Sequence, residues 1–283
     1  MNKVLCFVIA CISLLLIINP VFANEKKVAA RPWEKWSFTA GGMVHATNTA
    51  FRLGGGAGTY IDVEEFLDLD ATNTVYFLGG HWRFTENRRH RIDLSWFSLN
   101  RSGEKTIGQA ISLPREEDEG ETDTIPEGTK VESHFEIDVY KLNYSYSFYQ
   151  DDRVDLAANL GLYIMPLSFG LKTTGVVDVE GDANFTAPLP TIGFRMDFAL
   201  APKWFFRSGT QVFYLEYQDF KGGILYTQGA IEYSLWKHFG LGFGVDAFRI
   251  EASADGEDYP EIDFSGNVEF NYVGLKLYGR LFF

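Results

Sequence analysis

Apolar and polar residues alternate along most of this chain, in about ten runs separated by turn-forming or charged residues. In the first run, Trp36, Phe38, Ala40, Gly42, Val44 and Ala46 take one face. Ser37, Thr39, Gly41, Met43, His45 and Thr47 take the other, which is the period of a β-strand. The second run spans 74–85, with Tyr76, Leu78, Gly80, Trp82 and Phe84 opposite His81 and Arg83. The third starts at His90 and sets Ile92, Leu94 and Trp96 against Arg91, Asp93 and Ser95. Further strands are predicted over 135–148, 154–171, 189–200, 204–217, 223–236, 240–252 and 266–283.

Two of these runs are irregular. Phe135, Ile137 and Val139 share a face, and then Tyr140, Leu142, Tyr144, Tyr146 and Phe148 continue the apolar row one residue out of step. A β-bulge near Val139 and Tyr140 is the expected cause, because an unrelieved slip would turn half the strand inside out. The run over 154–171 is expected to break likewise at Pro166, which has no N–H for the ladder.

The connections alternate in length. Short, turn-like links are predicted at 86–89, 150–153, 201–203 and 237–239, and longer ones at 51–73, 110–130, 172–188 and 253–263, with one short exception at 219–222. This reads as an all-β, single antiparallel up-and-down barrel over 36–283, of about ten strands, with eight or twelve as alternatives. A soluble up-and-down barrel would turn its apolar face inward and a membrane barrel outward. Two features favour outward. Large aromatics such as Trp36, Trp82, Trp96, Trp204 and Trp236 sit near strand ends, where interfacial girdles place them. The opposite face mixes both charge signs: Arg83, Arg91, Asp93, Lys141, Asp155, Arg195, Asp197, Arg207, Glu232, Asp246, Lys276 and Arg280 are expected to form a lumen charge network.

Residues 1–23 read as a cleaved secretory signal: Lys3, an apolar run of about 15 residues, Pro20 and a small residue at Ala23. Residues 24–35 then form a periplasmic N-terminal segment. Both cysteines, Cys6 and Cys11, leave with the signal, which excludes a disulfide scaffold and a thiol nucleophile. The formal net charge is −13, which disfavours nucleic acid as a partner.

Candidate chemistry is sparse. The five histidines stand on separate segments without metal-ligand spacing, and no cofactor motif is present. The glycine-rich stretch over 52–60 lacks the Lys-Ser/Thr of a phosphate loop. His134, Glu136 and Asp138, near the loop end of their strand, are the one candidate catalytic cluster.

The final residues, 273–283 (VGLKLYGRLFF), place Leu275, Leu277, Leu281 and Phe283 on one strand face and end on a terminal Phe. This ending resembles the C-terminal strand of small Gram-negative outer-membrane β-barrel proteins, the OmpA-like and porin-like barrels. The resemblance implies insertion into outer-membrane lipid and lipopolysaccharide, and a terminal strand read by the barrel-assembly machinery after escort by periplasmic chaperones. With a charged face that would fill much of a ten-strand bore, the leading expectation is a non-enzymatic barrel, structural or a narrow porin-like conduit with a charged, largely filled lumen. The alternatives are an outer-membrane hydrolase with its site at the extracellular rim, and a surface-binding barrel acting through its long acidic loops.

Overall fold

The computed structural model of the protein describes residues 33–53, 59–62, 72–106, 108, 111–114, 122–174, 180–217, 220–254 and 266–283. The expected signal peptide and most of the segment after it lie outside these residues, as do most of the glycine-rich and acidic loops. Thirteen strands follow one another: β1 (Trp36–Leu53), β2 (Thr59–Asp62), β3 (Thr72–Arg83), β4 (His90–Thr106), β5 (Ile111–Pro114), β6 (Thr122–Ile125), β7 (Lys130–Gln150), β8 (Val154–Thr174), β9 (Glu180–Ala201), β10 (Trp204–Tyr217), β11 (Phe220–Trp236), β12 (Phe239–Ala254) and β13 (Gly266–Phe282). Ten of them, all but β2, β5 and β6, pair in antiparallel succession, and β13 closes on β1 from Ser37↔Phe282 to Leu53↔Gly266. The result is a closed ten-strand barrel with no free edge, the only sheet that can cross a bilayer with its backbone satisfied. β2 caps the top of β1, and β5 with β6 forms a separate hairpin.

The short links and both ends of the barrel meet at one rim. Phe283 donates from its backbone N to Trp36 O at 2.9 Å and accepts at its own O from Lys35 N at 2.7 Å, while Phe282 N reaches His238 O at 3.0 Å. We call this the turn end, and the opposite rim the loop end.

Near the turn end, the apolar face is outside. Leu160, Ile192 and Leu277 are 62%, 62% and 63% exposed, far more than a water-soluble wall would leave bare. Aromatic side chains line the turn-end border: Trp36 stacks on Trp82 at 5.0 Å, and Trp204 is tilted against Tyr233 at 4.8 Å and Trp236 against Phe239 at 5.3 Å. On β7 this band runs from Phe148 up to Tyr140, nine residues, which is the length a tilted strand needs to span a bilayer.

Above Tyr140 the two faces exchange chemistry. Glu132, His134 and Glu136 are exposed outside, and Val131, Phe135, Ile137 and Val139 are buried inside at 1–2% exposure. The neighbouring β4 does the same, with Asn100, Ser102 and Glu104 outside and Phe97 and Leu99 inside. The outer rows of β12 and β13 change from Val245 and Ala247 to Arg249 and Glu251, and from Val273 to Asn271 and Glu269. The barrel thus rises beyond its apolar band as a wall that is polar outside and packed inside.

This corrects the expected bulge at Val139 and Tyr140. The β4–β7 ladder runs unbroken from His90↔Tyr146 to Thr106↔Lys130, and β7–β8 holds one register on both sides of the point. The strand does not slip; the chemistry of its outer face changes. Pro166 is corrected as well: β8–β9 pairing passes through it in register, and β7–β8 only skips Asp138 and Val139 before resuming at Tyr140↔Ile164. Real register shifts fall at Ser147/Tyr149, Trp204/Phe205 and Ser234/Trp236, beside short turns. The long link expected over 172–188 is mostly strand, because β8 and β9 extend to Thr174 and from Glu180 as part of the raised wall.

Candidate functional site

The lumen is layered. Its floor, at the turn end, is an arginine–carboxylate network that runs along the wall, as in Arg195–Asp155 and Arg207–Asp197, and also crosses the barrel, as in Arg83–Asp155 and Arg91–Asp197. Register places Arg83 opposite Arg91 and Asp155 opposite Asp197, pairs of like charge that repel when adjacent. Closure of the sheet resolves them. Arg83, fully buried on β3, reaches Asp155 on β8 at 2.8 Å, and Asp155 also takes Arg195 at 3.1 Å. Asp197 gathers Arg195, Arg207 at 3.2 Å, Arg91 at 3.4 Å and Arg83 at 3.8 Å. Arg91 grips Asp93 through its Nε at 2.8 Å. Glu232 accepts from Arg207 at 2.6 Å, from Arg280 at 2.8 Å and from the Tyr278 hydroxyl at 2.8 Å.

These strands supply five floor arginines and only four carboxylates. The fifth carboxylate comes from outside the barrel wall. Glu34, just before β1, is buried at 8% exposure and contacts Arg280, Arg207 at 3.2 Å and His81 at 3.2 Å. Trp33 beside it is 4% exposed; its indole donates to Asp151 O at 2.7 Å, its own carbonyl accepts from Arg88, and Arg83 lies 6.0 Å from its ring centroid. Arg88 holds a left-handed φ of 58° in the tight turn, and its carbonyl accepts from Arg83 at 2.9 Å. Trp33 and Glu34 therefore form a stopper in the turn-end mouth, where the sequence predicted a segment outside the barrel.

Above the floor, Lys276 pairs with Asp246 at 2.6 Å and donates to Gln228 at 2.8 Å, and Tyr226 donates to Asp246 at 2.9 Å. Lys141 lies 3.5 Å from the centroid of the Tyr226 ring, with Tyr163 and Phe97 at 5.2 and 5.5 Å. A cavity of about 210 Å³ is bounded by these groups and the floor. Higher still, the lumen is filled by Leu99, Phe135, Ile137, Met165, Phe248, Phe270 and Tyr272, with His45 tilted against Tyr272 at 5.2 Å.

The twelve residues expected to share one network thus divide: nine make the floor, Asp246 and Lys276 pair in the middle, and Lys141 meets aromatic faces. His134, Glu136 and Asp138 stand on the outer face of β7, with Phe135 and Ile137 between them turned inward. Asp138 accepts from the Trp96 indole at 3.1 Å. They line an outer wall, not a cleft. Leu275, Leu277, Leu281 and Phe283 are outward and about half exposed, with Phe283 stacked on His238 at 5.0 Å.

At the turn between β7 and β8, Asp151 accepts from Arg153 N and Val154 N at 2.7 Å and from the Tyr149 hydroxyl at 2.7 Å. Partial burial pushes this carboxyl up, but the three donors outweigh it and hold the group below the usual carboxylate range.

No family model matches the sequence, and a comparison with curated proteins gives no sequence match. Among solved structures, the chain is similar to the outer membrane protease OmpT from Escherichia coli, at 9% identity and a TM-score of 0.55, over 91% of this chain and 99% of that one. Weaker likenesses include the transport unit of the autotransporter AIDA-I from Escherichia coli (9% identity, TM-score 0.40, 96% and 97% covered) and the toluene transporter TbuX of Ralstonia pickettii (11%, 0.35, 90% and 92%). The strongest of these likenesses agrees with the strand topology: the fold is that of an outer-membrane β-barrel.

Proposed function

We propose that the protein is an integral barrel of the Gram-negative outer membrane, closed to solute flow, which anchors and displays a raised extracellular wall and its loops. In this reading the turn end and the stopper face the periplasm, and the loop end faces outward. The observation that carries it is the double closure of the lumen. Trp33 and Glu34 seal the floor network at one end, and aromatic and aliphatic packing fills the other. Lipid and lipopolysaccharide surround the apolar band, and the outward row ending at Phe283 is the signal offered to the assembly machinery and its chaperones.

Fold alone does not carry an activity. With His134 and Glu136 on the outer wall, peptide hydrolysis is not transferred from the protease neighbour. The test is electrical: purified protein in planar bilayers should give no steady ohmic current. A stable open-pore conductance from the unmodified chain would overturn the closed-lumen reading.

A further inference from the structure

We propose that the mid-lumen cavity binds one small organic monoanion, a carboxylate with a short apolar tail, through the Lys141 ammonium. The proposal rests on the barrel and its cavity, whether or not the lumen conducts. Every floor arginine has a carboxylate, and Lys276 has Asp246. Lys141 has no ion pair among the described residues, although it is only 7% exposed and lines the cavity. Asp246 acts on it only from beyond ion-pair distance and is itself paired with Lys276, so an ammonium buried here in a membrane-spanning wall remains costly. The ring faces of Tyr226, Tyr163 and Phe97 offset part of that cost, and an anion in the cavity would offset the rest.

A second feature points to the same ligand. The Tyr163 hydroxyl donates to Gln211 Oε1, and Gln211 Nε2 donates to Asn143 Oδ1. The relay consumes both amide oxygens and ends on the Asn143 side-chain N–H groups, which have no partner among the described residues. Asn143 is two residues from Lys141 on the same inward face and lines the cavity. Gly161 keeps this relay possible, because a Cβ there would collide with Asn143 Oδ1, Thr191 Oγ1 and Gln211 Nε2. One ammonium and one amide donor on the same inward face of the cavity can each take one of a carboxylate's two oxygens. Met43, Phe77 and Phe97 supply an apolar flank for the tail. Asp246 nearby disfavours a second negative charge on the ligand, and the two lysines disfavour a cation.

Equilibrium dialysis of [¹⁴C]butyrate against the detergent-folded protein tests this, with the label added after folding and, separately, present during folding so that slow entry does not hide a site. One saturable site per chain is expected, uncompeted by butanamide or butylammonium. Lys141→Met should weaken it at least tenfold, Lys141→Arg should retain most of it, and a surface control, Lys130→Met, should not change it. Heat-modifiable migration on gels verifies that each variant is folded. Absence of saturable binding under both label regimes, competition by butanamide equal to that by butyrate, or unchanged binding in folded Lys141→Met would each overturn the proposal.

Discussion

Among the described residues, Glu34 is the one floor carboxylate that no barrel strand supplies, so removing it tests whether the stopper belongs to the fold. In Glu34→Ala, Arg280 keeps Glu232 at 2.8 Å and Ser37 at 2.7 Å, and Arg207 keeps Asp197 at 3.2 Å and Glu232 at 2.6 Å. Breaking one partner of a buried pair costs roughly 3–5 kcal/mol, and the surviving contacts place this case at the low end, about 3 kcal/mol. That is about two decades in the unfolding equilibrium constant. Denaturant titration of protein folded into liposomes, followed by tryptophan fluorescence, reads it directly. Because the pair is buried, the loss should persist in high salt, where exposed pairs are screened. A double-mutant cycle with Arg280→Met should return a coupling of at least about 1 kcal/mol. A loss below about 0.5 kcal/mol, within the range of ordinary surface substitutions, or a coupling indistinguishable from zero would refute the stopper.

Phe135→Ala, in the packed upper lumen, should cost roughly 3–5 kcal/mol, whereas Glu136→Ala on the outer wall beside it should stay within about 0.5 kcal/mol; both are read by the same titration. Leu160→Arg, outward in the apolar band, should cost roughly 2–4 kcal/mol in a bilayer, and a neutral result would mean that this face does not meet lipid. The Asp151 turn gives a pH signature. Its folded carboxyl lies below the unfolded value of about 3.9, so its stabilisation is present above that pH and is lost as pH falls through the folded value. Asp151→Ala should be less stable than the parent by under about 1 kcal/mol at neutral pH, the group being largely solvent-screened, with the gap closing in acid; a gap constant from pH 7 to pH 2.5 would contradict the turn assignment.

The period-two alternation carried the strands, their number and the outward band, because a closed barrel in lipid imposes the same demand on every strand. What it could not carry was the medium. At Val139 and Tyr140 a slipped register and a change of solvent write the same pattern: Phe135 and Leu142 are both apolar, one because it is packed inside and the other because it meets lipid. Pro166 reads as a break for the same reason, although a ladder can skip two pairs without shifting. The lumen charges were legible as a face but not as a layered set, since Arg83–Asp155 is made by closure between strands that are not neighbours. The stopper was missed, yet a signal existed. The expected network of twelve sets seven basic residues against five carboxylates, and that imbalance calls for further acid from outside the strands, part of which Glu34 supplies. His134, Glu136 and Asp138 form a cluster in the sequence because alternation places every second residue on one wall.

A cysteine scan of β7 over 131–148 measures the exchange of faces along this one unbroken strand. The only native cysteines are Cys6 and Cys11, so in a chain without them each introduced thiol is unique. Spin labels at these positions should report contact with dissolved oxygen in the bilayer at 140, 142, 144, 146 and 148, contact with a water-soluble relaxant at 132, 134 and 136, and protection from both at 131, 135, 137 and 139. Even-numbered positions should remain outside throughout. A reversal of parity between 138 and 141 would show a bulge and contradict the account.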